Sequence, residues 1–382
     1  MAVSIPINNR YQPTTKPTDI PTRLLLGPGP CNVHPRVLAA MSLPPIGHLD
    51  PKYLELMDEV QNLIRYAWQT ENRLTISVSG TGSAAMEATL ANTVEENDVV
   101  LVGVKGYFGH RLVDMANRYR ANVRKMVKPW GEVFSLEEIK AGLEEHRPKI
   151  LALVQAETST GVRQPLEGVA KICREYDCLL LVDTVTSLGG VPLYIDEWGI
   201  DLAYSCSQKG LGCPPGVAPF TMSARAEEKL NNRQSVVPNW YLDMSLLTRY
   251  WGNGRVYHHT APINMNYALR ECLLMLAEEG LEARWHRHQT NAELLWTGLE
   301  ELGLTCHVPR EYRLPTLTTV RIPAGVDGKA VSQQLLQDYN IEIAGGLGEL
   351  GGKVWRIGLM GYNSRPDNVL LLLQALKIVL QK

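Results

Sequence analysis

From Leu74 to Ser223 the chain alternates between short, nearly continuous apolar runs and longer stretches whose apolar residues recur every three or four positions. The runs LTISVS (74–79), DVVLVGV (98–104), KILALVQAE (149–157), CLLLVD (178–183), DLAYSC (201–206) and VAPFTMS (217–223) read as strands. Between them SAAMEATLANTV, HRLVDMANRYR, SLEEIKAGLEEH and LEGVAKICREY read as amphipathic helices. Apolar strands separated by such helices predict an α/β sheet covered on both faces. A long helical run from about Ile263 to Leu302 follows. Beyond it TLTTVRIPAG, a helix from about Gly328, KVWRIGLMG and PDNVLLLLQALKIVL predict a smaller α+β unit. The expected organisation is an N-terminal arm (1–22), a large α/β domain (23–262), and a connecting helix with a small C-terminal domain (263–382).

Composition narrows the class. The 382 residues are 45% apolar and 20% charged, and 38 basic against 40 acidic residues leave a formal net charge of −2. That balance gives no footprint for nucleic acid or an anionic membrane. No apolar run reaches the roughly 18 residues of a membrane helix, and the Pro- and Thr-rich start has no apolar signal region. The seven cysteines (31, 173, 178, 206, 213, 272 and 306) are odd in number and form no CxxC pair. Neither a disulfide framework nor a zinc site is expected, and reduced thiols suit a cytosolic enzyme. The ending LKIVLQK is not of the SKL type, so the cytoplasm is the expected compartment.

Sites in α/β sheets lie at the carboxyl ends of strands, and four loops there carry unusual chemistry. SGTGSAAMEA opens a helix with small residues and free N–H groups, an anion cradle or else a glycine turn with Ser83 as N-cap. CLLLVD ends in Asp183, a carboxylate that needs a cation or donor, or that caps the following turn. ETSTG (157–161) places hydroxyls at Thr158, Ser159 and Thr160, a cluster that also occurs in plain ST-turns. In SCSQKGLGCPPG, Lys209 has no other charged residue between Tyr204 and Phe220, a setting in which desolvation lowers an amine's pKa. Cradle, strand-end carboxylate and isolated lysine together match pyridoxal 5′-phosphate: phosphate on the cradle, Asp183 on the pyridine nitrogen, Lys209 on the aldehyde.

With LLLGPGPCNVHPRVLAAM, ETSTGV, LLLVDTVTSLGG, YHHT and WRIGLMG added, nearly the whole chain from Arg23 onward resembles the class V, fold-type I aminotransferases. The resemblance implies a mostly parallel seven-stranded sheet and transamination of a small amino acid, alanine or serine, with a keto acid, glyoxylate or pyruvate. It implies cofactor contacts from Thr81, Gly82, Ser83, Phe108, Thr158, Asp183, Gln208 and Lys209. Phe108 stands where close members have Trp, which removes an indole donor from the stacking ring. Tyr257 and Thr260 would reach the phosphate of a neighbouring subunit, implying a homodimer with composite sites, across which the N-terminal arm is a candidate to lie. Arg356 would grip the substrate carboxylate, unless it is an edge charge, and Gly27, Pro28 and Gly29 would line the substrate pocket. His258 and His259 receive no role, and Cys206 and Cys213 read as packing residues. Other class V activities, on 3-hydroxykynurenine or 2-aminoethylphosphonate, stay open, as does a non-catalytic relative. A desulfurase is disfavoured because no cysteine follows Cys306.

Overall fold

The computed structural model describes residues 16–381. Seven strands form the main sheet: β1 (Leu74–Ser79), β2 (Val99–Val104), β3 (Asn122–Val127), β4 (Ile150–Val154), β5 (Leu179–Asp183), β6 (Leu202–Tyr204) and β7 (Val217–Met222). Their order is β1-β7-β6-β5-β4-β2-β3. All neighbours are parallel except β7, which runs against both β1 and β6.

Six strands coincide with the apolar runs, and β3 is the addition. It lies at the sheet edge with only Val123 and Met126 half-buried and the other side chains exposed, so NVRKMV shows no continuous apolar run. Two predicted strands are shorter than expected at their carboxyl ends. KILALVQAE leaves the sheet after Val154, and Ala156–Glu157 pairs instead with Val162–Arg163. DLAYSC keeps only Leu202–Tyr204. In both cases the released residues turn into the loops that carry the polar chemistry.

Five helices pack around this sheet: α1 (Pro51–Trp68), α2 (Gly82–Thr93), α3 (Tyr107–Arg118), α4 (Leu136–His146) and α5 (Val169–Glu175). The first was not anticipated. Asp50 caps it by accepting from the Lys52 N–H at 2.8 Å, Pro51 takes the first turn, and Tyr53, Met57, Val60 and Ile64 form its buried stripe. In α4 a capping box closes the start: Glu138 N–H donates to Ser135 Oγ (3.2 Å) and Ser135 N–H to Glu138 Oε2 (2.9 Å).

The predicted long helix is two, α6 (Ile263–Glu279) and α7 (Leu281–Glu301), broken at Gly280 with φ +83°. The main hydrophobic cluster runs from Val37 through the sheet to Trp285 early in α7. A second takes Ala292 and the rest of α7, α8 (Gly328–Tyr339), α9 (Pro366–Val379) and an antiparallel three-stranded sheet of Leu317–Arg321, Val354–Gly358 and Ala344–Gly345. Leu24–Leu25 pairs with Ile341–Glu342, and Leu26 is buried in the second cluster, so the segment approaching the Gly27–Gly29 loop is anchored there. Among the described residues no helix is long and apolar enough to cross a membrane. Most of the arm lies outside the described residues.

Candidate active site

Parallel register puts Val154, Asp183 and Tyr204 in one row at the carboxyl ends of β4, β5 and β6. Asp183 is 2% exposed. Its Oδ1 accepts from the Val185 N–H (2.8 Å) and its Oδ2 from the Tyr204 hydroxyl (2.7 Å). Burial outweighs these bonds and pushes the carboxyl up to about 6. The row therefore ends in a carboxylate placed in a setting that calls for a cation.

Lys209 follows β6 and is 8% exposed. Burial draws its amine below the ordinary lysine value; Cys206 and Asp183 oppose that shift, and Arg356 adds to it. Its Nζ donates to the Pro28 carbonyl. At Gly29 a Cβ would stand 2.6 Å from Lys209 Cδ, and the residue has φ +108°, so space and backbone both require glycine. Cys31 N–H donates to the Gln208 carbonyl (3.2 Å), tying this loop to the lysine loop. The side-chain Oε1 of Gln208 is buried without a partner. A lysine walled this closely is built for one position.

Thr81, not Ser83, occupies the N-cap of α2, and its side chain makes no capping bond. The first-turn N–H groups are left for another acceptor. Gly82 is needed for packing, because a Cβ would lie 3.0 Å from Cys206 Cβ and 3.3 Å from Val185 Cγ2. Ser83 Oγ accepts from Arg111 Nη1 (3.2 Å), and the same guanidinium lies over the Phe108 ring at 4.8 Å. Phe108 and Gly109 N–H groups in α3 donate to Glu157 (3.2 and 3.4 Å), which also accepts from Ser159 N–H and Oγ (3.1 and 2.6 Å). Glu157 thus holds α3 against the ETSTG turn.

Thr158 is buried, its hydroxyl bonded to that of Thr186. Its carbonyl accepts from Arg356 Nη1 (3.4 Å), whose Nε donates to the Gly345 carbonyl (2.8 Å). Burial pulls the Arg356 guanidinium down to about 10. Arg356 is therefore inward, not an edge charge. Tyr257 and Thr260 lie outside this group, Tyr257 at 53% exposure and Thr260 exposed, with His258 between them buried. The structure gathers Lys209, Asp183, Gln208, Thr158, Arg356, Gly29, Phe108 and the Thr81–Ser83 turn, and leaves those two on the surface.

Four participants escaped the sequence reading: Lys105, Arg111, Glu157 and Tyr204. Lys105, directly after β2, is 1% exposed with no hydrogen-bond partner for its Nζ. Burial draws it down to about 8 against the pull of Glu157 and Asp183. A lysine between strand and helix reads as a surface charge, and only the isolation of Tyr204 beside Asp183 in the register could have flagged its hydroxyl. A cavity of about 810 Å³, lined in part by Arg73, Asp201 and Arg225, opens at the opposite ends of the strands, away from this chemistry.

The model of the family described as aminotransferase class-V matches residues 39–367. The chain is 46% identical over 371 residues to the alanine–glyoxylate aminotransferase of Mus musculus, covering 96% of this chain and 90% of the relative. It is 40% identical over 378 residues to the (S)-ureidoglycine–glyoxylate transaminase of Bacillus subtilis, covering 94% and 91%. The crystal structure of an alanine–glyoxylate aminotransferase from Nostoc sp. superposes with a TM-score of 0.96 at 67% identity, over 99% of this chain and all of that one. With its α/β fold-type I architecture and its inward Lys209, Asp183 and Arg356, the chain belongs to the class V aminotransferases and is an enzyme of that family.

Proposed function

We propose that the enzyme moves the amino group of alanine, or of serine, to glyoxylate, as a homodimer in the cytoplasm with pyridoxal 5′-phosphate as cofactor. The observation that carries this is Lys209: a desolvated amine, its pKa lowered, set between buried Asp183 and Arg356 at the strand ends. The residues fit the group. The uncapped first turn of α2 offers N–H donors that an anionic ligand would satisfy, and the side-chain amide of Gln208, whose Oε1 has no partner, would donate to the same ligand through Nε2. Thr81, Gly82, Ser83 and Gln208 would hold its phosphate, Phe108 its ring face and Thr158 its ring-oxygen edge. When bound, it supplies an aldehyde that takes the amino group and a protonated ring that accepts the electron pair released at Cα.

The side chains supply the rest. Asp183, as carboxylate, keeps a proton on the ring nitrogen. Lys209 Nζ takes the proton from the substrate Cα and returns it as general acid, a role that needs an amine neutral near working pH. Arg356 pairs with the substrate carboxylate through a planar fork and fixes the Cα–H toward the lysine. Gly29 leaves little room beside Lys209, which supports a short substrate side chain. The seven cysteines are all free and buried, in keeping with a reducing compartment.

The purified enzyme should lose the visible absorption of its bound cofactor on mixing with alanine or serine and recover it with glyoxylate. A panel in which neither donor reacts, while ureidoglycine or a larger amino acid does, would refute the substrate. The dimer claim rests on Tyr257 and Thr260 facing outward. If each serves the partner's phosphate, mixing Lys209→Ala with Tyr257→Ala chains leaves one site with both lesions and one with neither. Activity of the mixture should exceed both homodimers; no rescue would show that sites are built within one chain.

A further inference from the structure

Ser79, the last residue of β1, leads into the cradle. Gly80 N–H donates to the Gly216 carbonyl (3.0 Å), and Thr81 begins α2. Ser79 Oγ lies 2.7 Å from His259 Nε2, His259 Nδ1 lies 2.8 Å from His258 Nδ1, and His258 Nε2 lies 3.2 Å from the Trp240 carbonyl. A carbonyl only accepts, so His258 Nε2 carries the proton of that bond. In the neutral ring Nδ1 is then an acceptor, His259 donates from Nδ1, and its Nε2 accepts from the Ser79 hydroxyl. Burial, and then His258, press His259 down to about 4, which keeps its ring neutral in this chain. His258 lies flat on the Trp240 indole (4.2 Å, 15°) and edge-on to His259 (5.1 Å, 83°), so both ring planes are held.

We infer that His259 is a positioning residue for the anion cradle: by taking the Ser79 hydroxyl bond it sets the affinity of the Gly80–Ser83 turn for phosphate. The inference rests on the cradle reading given under Proposed function. A serine just before a helix tends to fold its oxygen onto the N–H groups two or three residues on, here Thr81 and Gly82. Those donors are the ones an anion needs. Drawing Ser79 Oγ to His259 removes the competitor and pins the strand end at which the turn starts.

The test separates phosphate from ring. Cofactor-free parent and His259→Leu are titrated with pyridoxal 5′-phosphate and with pyridoxal, which lacks the phosphate. The phosphate ester should bind roughly tenfold more weakly to the variant, the size of one lost hydrogen bond, with pyridoxal unchanged. An equal loss for both ligands, or none for either, overturns the inference. His259→Gln, whose carbonyl can accept from Ser79, should restore affinity, whereas His259→Asn, too short to reach, should not. Ser79→Ala, which loses the tether but also the competing hydroxyl, should cost less than His259→Leu, and the double variant should match Ser79→Ala alone. Should His259→Leu fail to fold, the Gln, Asn and Ser79 variants decide alone. A parent that binds neither ligand through Lys209 would bring down the cofactor reading itself, a result distinct from the failure of the relay.

Discussion

At Thr81–Ser83 the chain presents backbone N–H groups at a helix start, with Thr81 open to solvent and Arg111 bonded to Ser83. Farther along the same row of strand ends it does the reverse, burying Asp183, Lys209 and Lys105 and shifting the pKa of each. The first region draws its field from many small dipoles fixed by the fold, so no single side chain dominates. The second concentrates its field in a few ionisable groups stripped of water, where each one decides a protonation state. Substitutions of Lys209 and Asp183 should therefore cost activity steeply, and substitutions in the first region only a little.

The steepest loss is expected at Lys209. Lys209→Ala should abolish turnover, since the group moving the Cα proton is gone. Borohydride reduction of the cofactor-loaded parent followed by peptide mapping should label Lys209; a label on Lys105, the other buried amine, would reassign the role. Next comes Asp183→Asn, which keeps the shape and the bond from the Val185 N–H, its amide Nδ2 donating to Tyr204 Oη where the carboxylate accepted, but cannot hold a ring proton. Activity should fall by about 10³-fold or more while thermal stability changes little. A variant within tenfold of the parent would mean that the carboxylate only caps the Val185 turn.

How far the sequence revealed these regions follows the same division. Lys209 and Asp183 stood out because each is one ionisable residue at the end of an apolar run, a contrast visible along the chain. Tyr204 and Glu157 did not, because their meaning comes from neighbours across the sheet or the turn. Tyr204 reaches Asp183 from 21 positions away through strand register, and Glu157 gathers N–H groups from α3, 48 to 49 positions earlier. The edge strand β3 was hidden for a related reason, since a mostly exposed strand leaves no apolar signature. The cradle was legible as a glycine-rich turn, but which residue caps α2 depends on where the helix begins.

In the shallow region, Ser83→Ala removes one hydroxyl and the Arg111 bond but none of the backbone donors. Cofactor affinity should weaken by a factor of only about 5, near 1 kcal/mol, with saturated turnover unchanged. A loss rivalling that of Asp183→Asn would erase the distinction between the two regions.

The last effect, at Lys105, should appear in stability. Its folded pKa of about 8 lies below the ordinary 10.5, so folding favours the neutral amine. For a depressed lysine the stabilising contribution is present above the unfolded value and lost as pH falls through the folded one. Below about pH 8 the parent therefore buries a charged ammonium with no hydrogen-bond partner. Glu157 and Asp183 attract that charge, yet the shift is downward, so desolvation outweighs both. Lys105→Met should raise the melting temperature of the cofactor-free protein at pH 7, by roughly 1 to 3 kcal/mol of stability at most, and the gain should shrink toward pH 10. Thermal melts of both proteins at pH 7 and pH 9.5 read the sign directly. If the variant is less stable at pH 7, the two carboxylates outweigh desolvation and Lys105 is their counter-ion; then Asp183 without it should titrate higher still.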